Sequence, residues 1–446
     1  MARKTFAVLI LIVSAASCFG MGDNQIVKNP PKNIIIMISD GCGYNHIETA
    51  NLYRYGKIKS PVYEQLPVSL AMSTYLAGGQ YDPNQAWQSF GYFKEGATDS
   101  AAAATAMSTG IKTYSGAIGV DSQKKRISNI VERCEELKMS TGVITSVQFS
   151  HATPAGFVAH NKNRGNYAEI AREMINQSAC EVIMGCGHPL YDEDGKSKFI
   201  DKYDYVGGKD TFNAVLEGSS GGDCDGDDVN DPWTLIQSRQ DFQKLSSGQT
   251  PKRVLGVAQV HTTLQQARSG SNNAEPFKVK MIETVPTLSE MASAAINVLD
   301  NDPNGFFLMI EGGAIDWASH ANQSGRVIEE QISFQEAIET VLEWVAKNSN
   351  WNDTLLIVTS DHETGYLTGP DSGKTTWNAL VNNGAENQPG FEWHSGGHTN
   401  QLVPFFAKGN SAELFNERAV NTDSVRGRYI DNTDIANTIF TLLQQR

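Results

Sequence analysis

The sequence predicts a doubly wound α/β fold: a mostly parallel central sheet with helices on both faces and insertions at the surface. Three observations predict it. Short, almost wholly apolar runs recur at residues 33–38, 143–147, 182–184, 254–260, 306–310, 355–358 and 402–407, as expected of strands buried on both faces. Helical periodicities lie between many of them, and such alternation builds βαβ units. Polar residues follow several runs directly, and open α/β sheets bind ligands outside the carboxyl ends of their strands.

Taken in order, residues 1–18 hold Arg3 and Lys4, an apolar stretch over 6–13, then small residues ending at Cys18. This pattern predicts a secretory signal peptide, too short to span a membrane, and so an exported protein of the periplasm or cell envelope. Ala15, Ala16, Ser17 and Cys18 also fit a bacterial lipobox, in which Cys18 would carry a lipid anchor. A single domain is expected over 30–446, with insertions near 205–275 and 370–397, and no later segment is apolar enough for a transmembrane span.

Several helices announce themselves. Ile127, Ile130, Val131, Cys134 and Leu137 recur at helical spacing, as do Tyr167, Ile170 and Met174. Thr287 with Glu290 reads as a capping box opening a helix that buries Leu288, Met291, Ala295 and Leu299. A longer helix follows through Val327, Ile332, Ile338 and Val345.

Composition excludes some functions. With a formal charge of −14 over 446 residues, the chain repels nucleic acid and membrane phosphates overall. Five cysteines follow the signal: Cys42, Cys134, Cys180, Cys186 and Cys224. None has the C-x-x-C spacing of a thiolate site, so a metal would be held by nitrogen and oxygen. The acidic stretch 223–231 misses the glycine spacing of an EF-hand and reads as a solvated charge run.

The run G-A-T-D-S-A-A-A-A-T-A-M at 96–107 sets Asp99 and Ser100 before an alanine-rich helix. Free amides and the positive end of the helix dipole gather there, and both favour an anion or a developing alkoxide. Asp40, Glu311, Asp361 and His362 follow predicted strands. Asp316 and His320, four apart, share one face if their segment is helical, and His398 adds an imidazole. His151, Thr153 and Arg164 lie beyond the second run; a guanidinium fork matches two phosphate oxygens.

In order and spacing these motifs resemble alkaline phosphatase: I-S-D-G at 38–41, T-D-S-A-A at 98–102, H-A-T-P-A at 151–155 with Arg164, E-G-x-x-I-D-x-x-x-H at 311–320, S-D-H-E-T-G at 360–365 and G-H-T at 397–399. The resemblance covers nearly the whole mature chain. It implies hydrolysis of phosphate monoesters through a phosphoserine on Ser100, with Arg164 holding the phosphoryl oxygens. It also implies one Zn²⁺ on Asp316, His320 and His398, and a second on Asp40, Asp361 and His362. Mg²⁺ would take Asp40, Thr153 and Glu311, with His151 at or just outside that shell. Asp99 and Trp317 would lie near the substrate, and a homodimer is implied. Zinc-bound hydroxide and a serine oxyanion are both favoured at high pH, so the optimum should be alkaline.

Two positions depart from the best-known bacterial pattern, which has Asp at His151 and Lys at Trp317. An imidazole is a poorer magnesium ligand than a carboxylate. The His/Trp pair resembles the type of some marine and cold-adapted bacteria. The alternatives are a phosphodiesterase or sulfatase of the same superfamily, or a non-catalytic metal-binding envelope protein. Arg164 and the lack of a cysteine-based sulfatase motif disfavour the first pair, and Ser100 would have no use in the last. His46, His188 and His261 read as core or surface histidines, His160 and His394 as hydrogen-bonding support near the site.

Overall fold

A computed structural model describes residues 29–224 and 227–446, so the signal segment, Cys18 and residues 225–226 of the acidic stretch lie outside the described residues. Eleven strands form one sheet: β1 (Asn33–Ser39), β2 (Val68–Ser73), β3 (Ser140–Gln148), β4 (Val182–Cys186), β5 (Thr234–Ile236), β6 (Val254–Val257), β7 (Phe306–Gly312), β8 (Thr354–Thr359), β9 (Val403–Gly409), β10 (Asn421–Asp423) and β11 (Gly427–Asp431). Their order is β10-β11-β2-β9-β8-β1-β7-β3-β4-β6-β5. From β8 to β5 every pairing is parallel. The run at 402–407, expected to be parallel, is instead β9, antiparallel to both β8 and β2. The reason lies in the connection: no helix separates β8 from β9, and a parallel return needs such a crossover.

The helices are α1 (Tyr44–Tyr55), α2 (Ser100–Thr109), α3 (Ile130–Glu136), α4 (Ala152–Val158), α5 (Tyr167–Asn176), α6 (Lys209–Leu216), α7 (Arg239–Leu245), α8 (Leu288–Leu299), α9 (Ala314–His320), α10 (Ser324–Asn348), α11 (Leu414–Arg418) and α12 (Thr433–Leu443). Alternate residues of β1 decide the layers. Ile34, Ile36 and Ile38 face a core closed by α2 to α6, α11 and α12, whereas Ile35 and Met37 face one closed by α1 and α7 to α10. The capping box at α8 forms as the sequence predicts, with Thr287 accepting from the Glu290 amide at 3.1 Å. The 205–275 segment contributes β5 and β6 to the sheet, while 370–397 has no helix. The five cysteines among the described residues are free thiols, four of them buried.

Glycine sets how closely α4 approaches the helix that begins at Ser100. A Cβ at Gly156 would stand 2.7 Å from the Ala104 Cβ and 3.2 Å from its carbonyl carbon, on α2. Gly156→Val should therefore destabilise the fold by about 1–3 kcal/mol through overpacking, read as a lower urea midpoint. An unchanged midpoint would mean that α2 has room to move.

Candidate active site

Strands β8, β1, β7 and β3 are neighbours in the sheet, and their carboxyl ends carry the predicted residues to one place. Asp361 and His362 follow β8, and Asp40 follows β1. Glu311, inside β7, lies in register with Ile38 of β1 and Thr145 of β3. Beyond β3, His151 precedes α4 and Thr153 lies in its first turn. α9 brings Asp316, Trp317 and His320, and His398 pairs with Thr364 in a short ladder. Sheet topology thus gathers residues that are far apart in sequence. The turn after β1 passes against α9 because Gly41 has φ +73° and no side chain; a Cβ there would meet the Asp316 Cα at 2.8 Å.

Ser100 is the first residue of α2, and the cap is Asp99, which accepts from the Ala102 amide at 3.2 Å. The buried Ser100 Oγ lies 3.4 Å from Asp40 Oδ1 and 3.2 Å from His362 Nε2. Around it three imidazoles are oriented by their far nitrogens. His320 Nδ1 lies 2.7 Å from the Gly396 carbonyl, and His398 Nδ1 2.8 Å from that of Thr98. A carbonyl only accepts, so each neutral ring turns an unprotonated Nε2 inward. Those two Nε2 atoms are 3.0 Å apart, and 3.3 and 3.6 Å from Asp316 Oδ1. Three facing lone pairs repel unless a cation sits among them. Thr364 acts likewise for His362: its hydroxyl donates to Asp316 Oδ1 at 2.6 Å, leaving its oxygen to accept from Nδ1 at 3.3 Å.

The donor set fits metal ions. Asp316, His320 and His398 bring ligand atoms within 4.8 Å of one another, as do Asp40, Asp316 and His362, and again Asp40, His151 and Glu311. Asp361 Oδ1 is taken by the Gly41 and His362 amides, and its Oδ2 lies 3.2 Å from His362 Nε2. Asp40 Oδ2, His151 Nδ1, Thr153 Oγ1, Glu311 Oε1 and Asp361 Oδ2 are buried without a hydrogen-bond partner. Orphaned buried polar atoms are costly, and a divalent cation is the partner that the carboxylates and the Thr153 hydroxyl share; His151 Nδ1 carries the ring proton while Nε2 accepts from Arg164. The electrostatics agree. Burial, reinforced by the carboxylates of Asp361, Asp316 and Glu311, holds Asp40 well above the ordinary carboxylate range. Burial pushes Glu311 up to about 7. Burial and then Arg164 hold His151 far below the usual imidazole range; burial and then His398 do so for His362.

Arg164 reaches the cluster from the loop before α5. Its Nη1 donates to Asp99 Oδ2 at 3.0 Å and its Nη2 to His151 Nε2 at 3.2 Å. Asp99 also accepts from the Gly116 amide, so the guanidinium is anchored to a fixed loop. Trp317 packs edge-on against His151, with ring centroids 5.6 Å apart. Ser100, Arg164, His151, Trp317, Asp316, His320, His398 and Gln266 line one cavity of about 540 Å³. A larger cleft of about 740 Å³, beside Ser140, Glu181 and Lys252, lies at the amino ends of β3, β4 and β6, away from every cluster described above.

Sequence reasoning missed Thr364, Thr145 and Gln266. Thr145 donates to Glu311 Oε2, and its inward place on β3 was the only signal. His160 and His394 do not support the cluster as expected: His160 bonds Glu173 and the Ile127 carbonyl, and His394 bonds Thr368. His46, His188 and His261 are buried, as core histidines are.

The sequence profile of the alkaline phosphatase family matches residues 31–392. The chain belongs to the alkaline phosphatase family. It is an enzyme of the phosphomonoester-hydrolase class, and the resemblance carried by its motifs is borne out. It is 28% identical to alkaline phosphatase 3 of Bacillus subtilis, over 93% of this chain and 89% of that one. The alkaline phosphatase of the Antarctic bacterium TAB5 superposes with a TM-score of 0.66 at 28% identity, covering 94% of this chain and all of that one. A His-to-Asp mutant of that enzyme, described with Mg bound in its M3 site, gives 0.64 at 27% identity over 93% of this chain and 99% of its own. The alkaline phosphatase fold, with its large mostly parallel sheet, is thus common to both. Among the described residues no helix is long and apolar enough to cross a membrane.

Proposed function

We propose that this alkaline phosphatase is an exported, metal-dependent enzyme that hydrolyses phosphate monoesters through a phosphoserine on Ser100. The observation that carries the reading is the Ser100 Oγ, at the N-terminus of α2, within 3.4 Å of Asp40 and His362 and on the wall of the Arg164 cavity. Arg164, held by Asp99, grips two phosphoryl oxygens and sets phosphorus before the Ser100 oxygen. The Ser100 Oγ–P bond forms as the ester P–O bond breaks; the alcohol leaves, and water then cleaves the phosphoserine to phosphate. The positive end of α2 favours the anionic oxygen throughout.

Asp316, His320 and His398 would hold one zinc, and Asp40, Asp361 and His362 a second. Asp40, Thr153 and Glu311 would hold magnesium. Bound cations would supply the positive charge that acidifies the serine hydroxyl and neutralises the departing oxygen. His151 is the weakest member: while its Nε2 accepts from Arg164, the proton of the neutral ring sits on Nδ1, where it cannot ligate. The reading includes cleavage of the 1–18 signal or lipid anchoring at Cys18, a single catalytic domain over 30–446, and a homodimer.

The enzyme should hydrolyse p-nitrophenyl phosphate at least about a hundredfold faster than bis(p-nitrophenyl) phosphate or p-nitrophenyl sulfate, because Arg164 suits a terminal dianion. A faster diester or sulfate reaction would overturn the reading in favour of the superfamily's other chemistries.

A further inference from the structure

The residues assigned to catalysis account for the phosphoryl end of a substrate, yet the cavity of about 540 Å³ lies in the range of sites that enclose whole small molecules. One of its lining residues, Gln266, belongs to no motif and sits on a loop between β6 and α8. That loop is pinned from several sides. The Leu264 amide donates to the Ser146 carbonyl at 2.9 Å. The Gln265 side chain bonds the backbone of Ile282 at both its oxygen and its nitrogen, at 2.9 and 3.0 Å. Arg268 is locked in a buried pair with Glu329 at 2.8 Å. The Gln266 amide itself is oriented, since Nε2 donates to Gln323 Oε1 at 2.8 Å.

Gln266 gives one of its two amide hydrogens to Gln323, and has its carbonyl oxygen and its second amide hydrogen left to serve the cavity. A phosphate dianion has no proton to give such an oxygen and is repelled by it, so it could use only the N–H, whereas an alcohol hydroxyl can use both groups. The amide therefore matches a hydroxylated leaving group better than the phosphoryl group. On the same cavity, half-buried Trp317 offers an indole surface to carbon. A rigid acceptor near an aromatic wall suits a carbon chain or ring bearing hydroxyls.

We infer that Gln266 and Trp317 form a leaving-group subsite selecting phosphate esters of polyhydroxylated alcohols, such as glycerol and sugar phosphates, over esters without hydroxyls. The inference rests on the phosphomonoesterase reading above. Glycerol 1-phosphate and propyl phosphate, which share a carbon skeleton, test it on the zinc-loaded full chain. The unaltered enzyme should prefer the glycerol ester in kcat/KM by about tenfold, the size of one hydrogen bond to the hydroxyl. Gln266→Leu should erase that preference, lowering the glycerol ester far more than the propyl ester. Gln266→Asn, which keeps the amide but withdraws it by one methylene, should give an intermediate preference and serves if the Leu variant does not fold. No preference in the unaltered enzyme, an equal loss on both esters in Gln266→Leu, or an undiminished preference in Gln266→Asn would overturn the subsite. Failure is distinguishable from that of the parent reading, because p-nitrophenyl phosphate would still be hydrolysed; if no monoester is turned over, the parent reading falls and the subsite with it.

Discussion

Ser100→Ala is expected to lower kcat on phosphate monoesters by at least about 10³-fold and to leave no phosphate on the protein after acid quench. The magnitude follows from the nucleophile's place in a unit: removing one such member commonly costs nearly as much as removing all, the residue being catalysis by binding and electrostatics alone. Metal content should remain near that of the unaltered enzyme, because the histidine orientations depend on Gly396, Thr98 and Thr364 and not on Ser100. The fold should also persist, since Ser100 is not the cap of α2; Asp99 keeps that role. Full turnover, or a phosphorylated Ser100→Ala protein, would remove Ser100 from the mechanism.

Chelation is expected to have an effect of similar size with an added structural signature. Dialysis against EDTA should abolish turnover, and zinc should restore it. Zinc should also stabilise the fold, because the metal-free protein buries unpartnered carboxylate oxygens at Asp40, Glu311 and Asp361. A ligand present at a hundredfold its Kd contributes about 2.7 kcal/mol per site, enough to raise Tm measurably. His320→Ala should bind less zinc and gain less stability, since it removes one inward Nε2 from the Asp316 and His398 group. An enzyme whose activity and melting are indifferent to EDTA would refute the metal assignment.

The parts of the fold that sequence patterning reached are those with an unmixed physical signature. Strands β1, β3, β4, β7 and β8 are buried along their length and read as apolar runs; α8 carries its capping box in four residues. Strands β10 and β11 escaped notice because aspartate, arginine and glycine interrupt them, and short polar strands at a sheet edge lack the buried pattern; β2 is largely buried and paired on both sides, but serines break its apolar run. The direction of β9 is invisible in hydropathy, because an antiparallel strand buried on both faces is as apolar as a parallel one. The missing helix before it held that information.

The site was legible where chemistry demands an unusual residue type after a strand. Asp40, Glu311 and Asp361 are carboxylates at positions that fold stability alone would fill otherwise, so they stood out. Thr364 and Thr145 did not, since a threonine near a strand is common and only its partner makes it informative. Gln266 was beyond reach: nothing in its own segment records that Gln323, on the chain after α9, would fix its amide. Tertiary context, not local pattern, gave these three their roles.

The central claim is that two cations lie beside one serine oxygen at the carboxyl ends of β8, β1 and β7. Anomalous scattering measured at the zinc edge, from crystals grown with zinc, tests it most directly. The account predicts two strong peaks, one among Asp316, His320 and His398 and one among Asp40, Asp361 and His362, roughly 4 Å apart and flanking the Ser100 oxygen. Peaks only at the protein surface, or zinc far from Ser100, would contradict it.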